Sequence, residues 1–189
     1  MDYRRNEDYI YRGNGYAATL NNGLYNGCHN VNIDWGAAIT EPVTLNDFKL
    51  WGKIDTTEDN ALISALITTS RMMCEQYCNT GFVSREIVAD INNANGGFIL
   101  PYGPVTSTPT AVDEDGNALT LIYNFNQLQS PCCRMTVSYT GGYSTLPEQY
   151  KTAIMEQCLF LYENRGDIAM SEKLSPLVRT ILNPLTRQK

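Results

Sequence analysis

The stretch from Pro147 to Gly166, PEQYKTAIMEQCLFLYENRG, constrains the fold more than any other part of this chain. Tyr150, Ala153, Ile154, Cys158, Leu161 and Tyr162 recur at three- and four-residue steps, so a helix through them gathers one wide apolar face. Pro147 suits the first turn, where its missing N–H is not needed, and Gly166 suits a left-handed stop. A helix with one apolar face holds in water only when other elements cover that face. The rest of the chain must therefore supply the cover.

Several elements of that cover are legible. Thr44 reads as an N-cap with Asp47 at N3 reaching back, and Val43 is placed to staple onto Phe48, for a short helix from Leu45 to about Trp51 that stops at Gly52. A second start at Thr56 or Thr57, with Glu58 and Asp59 at the positive helix end, opens a long helix over about 58–79. Its expected buried stripe is Ala61, Leu62, Ala65, Leu66, Thr69, Met72, Met73 and Tyr77, with Gly81 as the stop. The middle is strand-like. Arg85 to Ile91 alternates, Phe98 to Leu100 is a short apolar run, and Asp113 to Asn117 is a turn. Leu119, Leu121 and Tyr123 alternate, as do Cys133, Met135, Val137 and Tyr139 before Gly141-Gly142. After the helix at 147–165, Ser175 caps a last helix over about 176–186, with Pro176 at N1, Leu177, Val178, Ile181, Leu182 and Leu185 inward, and Pro184 making the end irregular. The expected fold is mainly α with inserted antiparallel β at about 85–140. Its four-helix bundle-like core has the order helix, helix, strands, helix, helix.

Residues 1–41 stand apart. YRGNGYAATLNNGLYNGCHN is rich in Gly, Asn and Tyr and has no helical or strand period, which predicts an extended N-terminal arm that orders against a partner on assembly. Tyr9, Tyr11, Tyr16 and Tyr25 are its candidate partner-binding residues, because Tyr joins a large apolar ring to a polar tip.

Charge narrows the function classes. The 189 residues carry a net −6, but Ser171 to Lys189 holds Lys173, Arg179, Arg187 and Lys189 against Glu172 alone, a local +3 that leaves −9 for the rest. An acidic body argues against general nucleic-acid binding, which needs clustered cations. Arg179, Arg187 and Lys189 are candidate contacts for an acidic partner surface; the alternative is a solvated tail. No apolar run is long enough to span a bilayer, and MDYRRNEDYIYR has no signal-peptide core, so synthesis in the cytoplasm without membrane contact is expected.

Chemistry is sparse. Six cysteines without a CxxC pair, and His29 as the sole histidine, predict buried reduced thiols with no metal and no cofactor. Gly13 to Gly15 has no following GK[ST] and is not a phosphate loop. No nucleophile elbow or paired-carboxylate signature is present. Glu58-Asp59 reads as a helix start, and Asp113-Glu114-Asp115 as a turn without the ligand spacing of a calcium loop. No catalytic residues are assigned; a small enzyme is the weakest reading, behind a generic virion or host-directed binding module.

Four blocks in order carry a resemblance. They are Pro42-Val43-Thr44-Leu45 with Asp47, Lys49, Ile54-Asp55, Glu58-Asp59, Ala61-Leu62-Ile63 and Leu66-Ile67; Leu100-Pro101, Pro104-Val105 and the hairpin at Asp113 to Gly116; Val137-Ser138-Tyr139, Gly141-Gly142-Tyr143 and Leu146-Pro147; and Leu161-Tyr162-Glu163-Asn164-Arg165 with Leu174-Ser175-Pro176-Leu177-Val178 and Leu182. Over about 42–187 this pattern resembles the small head–tail connector (adaptor) proteins of tailed bacteriophages, the gp6-like family. It departs from them at Trp51-Gly52-Lys53 and in its long arm. The resemblance implies a structural virion protein of the neck. It would form a homo-oligomeric ring, commonly twelve-fold, beneath the portal protein and extend the DNA channel toward further neck or tail proteins. DNA would pass through without sequence-specific binding.

Overall fold

A computed structural model describes residues 39–92, 96–124, 127–130, 134–167 and 173–186. Helix α1 spans Leu45–Gly52 and α2 spans Asn60–Cys78. Seven strands follow: β1 Arg85–Asn92, β2 Gly96–Ile99, β3 Thr110–Val112, β4 Ala118–Leu119, β5 Ile122–Asn124, β6 Gln127–Ser130 and β7 Arg134–Gly141. Helix α3 is Glu148–Glu163 and α4 is Pro176–Leu182, which tightens into a 3₁₀ turn at Asn183–Leu185. No described helix is long and apolar enough to cross a membrane.

The helices share one core. Val43, Phe48, Ile63, Ile67, Cys74, Ala153, Ile154, Cys158, Val178 and Leu182 meet in it, joined by Phe82 and Tyr150. Helix α1 begins with the expected reciprocal cap: Asp47 N–H donates to Thr44 Oγ1 at 3.1 Å, and Thr44 N–H to Asp47 Oδ2 at 3.0 Å. The helix runs to Gly52, and Lys53 after it takes the left-handed conformation. Helix α2 starts later than Thr57, at Asn60, and Asn79 rather than Gly81 makes its left-handed turn. Helix α3 ends at Asn164 without a left-handed residue, so Gly166 is not its stop. Fully buried Gln157 holds the start of α4: its Nε2 donates to Lys173 O at 3.0 Å, and its Oε1 accepts from Ser175 N–H at 2.9 Å.

The buried side of α2 overturns part of the sequence expectation: Leu66 and Tyr77 of the expected stripe do pack against the core, and Met72 and Met73 are partly buried, but the centre of the buried face lies elsewhere. Ile63, Ile67, Ser70, Arg71, Cys74, Glu75 and Cys78 face inward, while Ala61, Leu62, Ala65 and Thr69 are exposed. Apolar residues surround this helix on every side, so periodicity alone chooses between two faces, and the true one carries two charges that a hydropathy count rejects. In α4 only Val178 and Leu182 are buried; Leu177, expected inward, points out.

The strands form a second core of Ile87, Ala89, Ile91, Leu100, Tyr102, Ala111, Leu128, Met135, Val137 and Tyr139. Two sheets run in the orders β1-β7-β3-β4 and β2-β6-β5. They share one ribbon register, since Asn92 faces Arg134 and, four residues on, Gly96 faces Ser130. Gly142, at φ +107°, joins ribbon to helices; a Cβ there would stand 2.2 Å from Val83 O.

Candidate functional site

Between Asp59 and Arg85 the sequence has only two charged residues, Arg71 and Glu75, one helical turn apart on α2. Both are buried. Glu75 Oε2 accepts from Arg71 Nη1 at 2.6 Å and from Arg85 Nη2 at 3.2 Å, while Glu75 Oε1 accepts from Phe82 N–H at 2.7 Å. On the other side Arg71 Nε donates to Glu41 Oε2 at 2.8 Å and Nη2 to Glu41 Oε1 at 3.2 Å, and Thr68 Oγ1 donates to Glu41 Oε1 at 2.8 Å. One relay of charge, Glu41 to Arg71 to Glu75 to Arg85, thus ties the segment before α1 to α2 and to the first residue of β1. Desolvated charges persist when paired in this way, and the pairing links the helical core to the strand lobe. The reading of the sequence missed this node. Its signal was the pair of isolated charges four residues apart in an otherwise uncharged helix.

A second node joins the ends of α2 and α3. Tyr162 Oη donates to Asp59 Oδ2 at 2.6 Å, and the Arg165 guanidinium sits 4.5 Å from the Tyr162 ring centroid and 3.7 Å from Asp59. Its interaction with Tyr162 holds the Arg165 pKa above the ordinary value. Asp59 is the N-cap residue of α2, its carbonyl accepting from Ile63 N–H at 2.8 Å, but its side chain makes no capping hydrogen bond and serves this cross-link. Tyr162 is therefore half-buried at the core's rim, while Leu161 is inside.

The remaining acidic cluster closes a turn. Asp113 Oδ1 accepts from Asn117 N–H at 2.8 Å and from Asp115 N–H at 3.0 Å, and these bonds, Asn117's first, hold its carboxyl below the usual range. Glu114 pairs with Arg134 at 2.6 Å. Among the described residues no group of three His, Cys, Asp or Glu side chains could hold a metal ion. Cys74, Cys78 and Cys158 are free and buried; burial pushes the thiols of Cys78 and Cys158 up to about 12, and that of Cys74 up as well. Cys28, His29, Cys132 and Cys133 lie outside the described residues.

What the described chain offers is surface. Leu50 is 84% exposed and Trp51 44%, side by side at the end of α1. Leu62, Val112, Ile122 and Leu177 also face solvent. The outward side of α2, with Ala61, Leu62, Ala65, Thr69 and Gln76, carries no charge. Arg179 is exposed on α4, whereas Tyr9, Tyr11, Tyr16, Tyr25, Arg187 and Lys189 lie outside the described residues. Of the sequence-chosen partner residues, Arg179 is thus the one within the described residues.

No family model matches the chain, and no curated protein is similar to it in sequence. Solved structures do share its fold. A chain in the neck of an empty gene transfer agent (GTA) particle, computed with C6 symmetry, superimposes with a TM-score of 0.64 at 16% identity, covering 83% of this chain and 96% of that one. A chain in the virion of the native gene transfer agent particle gives 0.63 at 16% identity, with the same coverage. A chain in the native particle's neck, computed with C12 symmetry, gives 0.60 at 17% identity over 84% of this chain and 96% of that one. This chain therefore has a fold found in particle necks. At such identity the likeness concerns architecture.

Proposed function

We propose that this chain is a structural subunit of a virion neck, assembling as a homo-oligomeric ring beneath a portal protein to join head and tail and extend the DNA channel. The carrying observation is the fold match to gene transfer agent neck chains over 96% of their length. Those particles were computed with C6 and C12 symmetry, which favours a ring and, for this chain, twelve copies. The four sequence blocks that resemble head–tail connectors support the same role. So does an acidic body, which gives DNA little to hold as it slides past.

A closed ring needs two different patches on each subunit that fit one another. The uncharged outward side of α2 and the Leu50–Trp51 pair suit such contacts, being apolar surfaces that a monomer leaves wet. Arg179, with Arg187 and Lys189, suits an acidic surface on the portal or a neighbouring subunit. Sedimentation and electron microscopy of the purified chain, alone and mixed with its portal protein, test the proposal. Rings on the portal are expected. Charge reversal at Arg179 should weaken ring–portal association in a salt-sensitive way. A chain that stays monomeric with the portal and is absent from purified virions refutes the role.

A further inference from the structure

Helix α2 places its charges inside and apolar residues outside. Its buried side carries Ser70, Arg71 and Glu75, while the opposite side carries Leu62, Ala65, Thr69, Met72 and Gln76. Those five stand at alternating three- and four-residue steps, the spacing by which one helix presents a seam to another body. At 1.5 Å per residue the seam is about 21 Å long. Leu62 is 38% exposed; Ala65, Thr69 and Gln76 are exposed, and Met72 is partly covered. From Asn60 to Cys78 the only charged residues are Arg71 and Glu75, both turned inward. A helix with apolar residues all round belongs in an interior. The chain's own core covers one side of α2, so the other is surface for a second body.

Charge and the end of α1 say what that body is. Leu50 and Trp51 protrude there, 84% and 44% exposed, and Lys53 beyond them is exposed as well. A protruding Trp anchors an interface when it finds a pocket that dries it. The seam is a fitting counterpart: Ala65 and Thr69, both short, lie between the longer Leu62 and Met72 and leave a notch for a large side chain. Two copies of this chain carry the same net charge of −6, and like charges facing one another are costly, so copies meet best where charge is absent. Neither the seam nor the Leu50–Trp51 pair bears any. Lys53 brings a cation toward a neighbour whose first 170 residues carry −9.

We propose that the outer face of α2 receives Leu50 and Trp51 of the next copy, so that each subunit gives one anchor and accepts another. The choice of a second copy as occupant rests on the neck-ring reading; the contact and its polarity go beyond it. Anchor and receptor are different surfaces, one at the end of α1 and one along α2. The contact is therefore head-to-tail, and it generates a ring when the rotation closes. A contact of α2 with α2 would instead be self-complementary and stop at two copies.

Sedimentation velocity and electron microscopy of the full chain test this with Leu50→Glu, which spoils the anchor, and Ala65→Glu, which spoils the seam. Both sites are exposed and Glu suits a helix, so far-UV circular dichroism should match the wild type. The wild type should assemble, and each variant alone should need at least about tenfold more protein to do so. Mixed one to one, the variants keep one intact contact, the seam of Leu50→Glu taking the anchor of Ala65→Glu. They should form heterodimers at concentrations where each alone is monomeric. The inference is overturned if either variant assembles as the wild type does, if the mixture yields no heterodimers, or if the wild type stays monomeric both alone and with its portal protein. Copies that assemble as described yet ignore the portal keep the inference and refute the neck role. Rings on the portal that tolerate both substitutions keep the role and refute the inference.

Discussion

Removing the Glu75 carboxylate is the sharpest test of how the two cores are held together. Glu75 is fully buried, with Arg71 and Arg85 side chains each only 4% exposed, and its two oxygens accept from both guanidiniums and from Phe82 N–H. In Glu75→Ala two buried cations lose the carboxylate they share, and Glu41 still pairs with Arg71. Breaking a buried pair in this way costs about 3–5 kcal/mol. The orphaned Phe82 N–H adds about 1–3 kcal/mol. The two overlap, so the expected loss is about 4–6 kcal/mol, a large part of the roughly 5–15 kcal/mol that holds a domain. Glu75→Gln keeps an acceptor for Phe82 N–H, and the difference between the two variants isolates that bond. The triple variant Arg71→Met, Glu75→Leu, Arg85→Met removes the charges together and should recover all but about 1–2 kcal/mol, because the desolvation cost goes with them. Urea unfolding of the monomer, followed by far-UV circular dichroism at constant slope, measures each value. If Glu75→Ala stays within about 1 kcal/mol of the wild type, the relay does not hold the cores together.

Three further outcomes follow from single sites. Thr44→Ala should cost about 1 kcal/mol by opening the α1 cap; the Thr44 bonds hold the Asp47 carboxyl below its ordinary 3.8, so the cap's contribution is complete above that pH and fades as pH falls through the lowered value, which urea midpoints between pH 5 and 2 would show. Peptides containing Cys74, Cys78 and Cys158 should remain unalkylated by iodoacetamide in the native protein at pH 8 and react once unfolded, since burial raises all three thiols; rapid native labelling would contradict their placement. Gly142→Ala should lower the melting temperature by at least about 8 °C or prevent folding, because a side chain there meets Val83 O at 2.2 Å in a left-handed backbone; a fully stable variant would refute that junction.

What can be read from the sequence here is what neighbours along the chain decide. The Thr44–Asp47 cap, Pro176 at N1 of α4, the Asp113 turn and the buried side of α3 depend on residues within a turn or two of each other, and each is found as its pattern predicts. The alternation from Met135 to Tyr139 is also local, and those odd positions are buried. Other features depend on partners distant in sequence. Which face of α2 turns inward, why that face bears Arg71 and Glu75, why Leu177 points out and why Asp59 reaches Tyr162 are decided by packing, since apolar residues surround α2 and a charge is tolerated inside only where its counter-charge arrives from elsewhere. The candidate site divides the same way. The sequence by itself determined the apolar face of α3, the acidic body and the basic end. Only the tertiary structure brought Glu41, Arg71, Glu75 and Arg85 into one relay and set the strand order β1-β7-β3-β4, because ion pairs and strand order are properties of chain segments that meet in space.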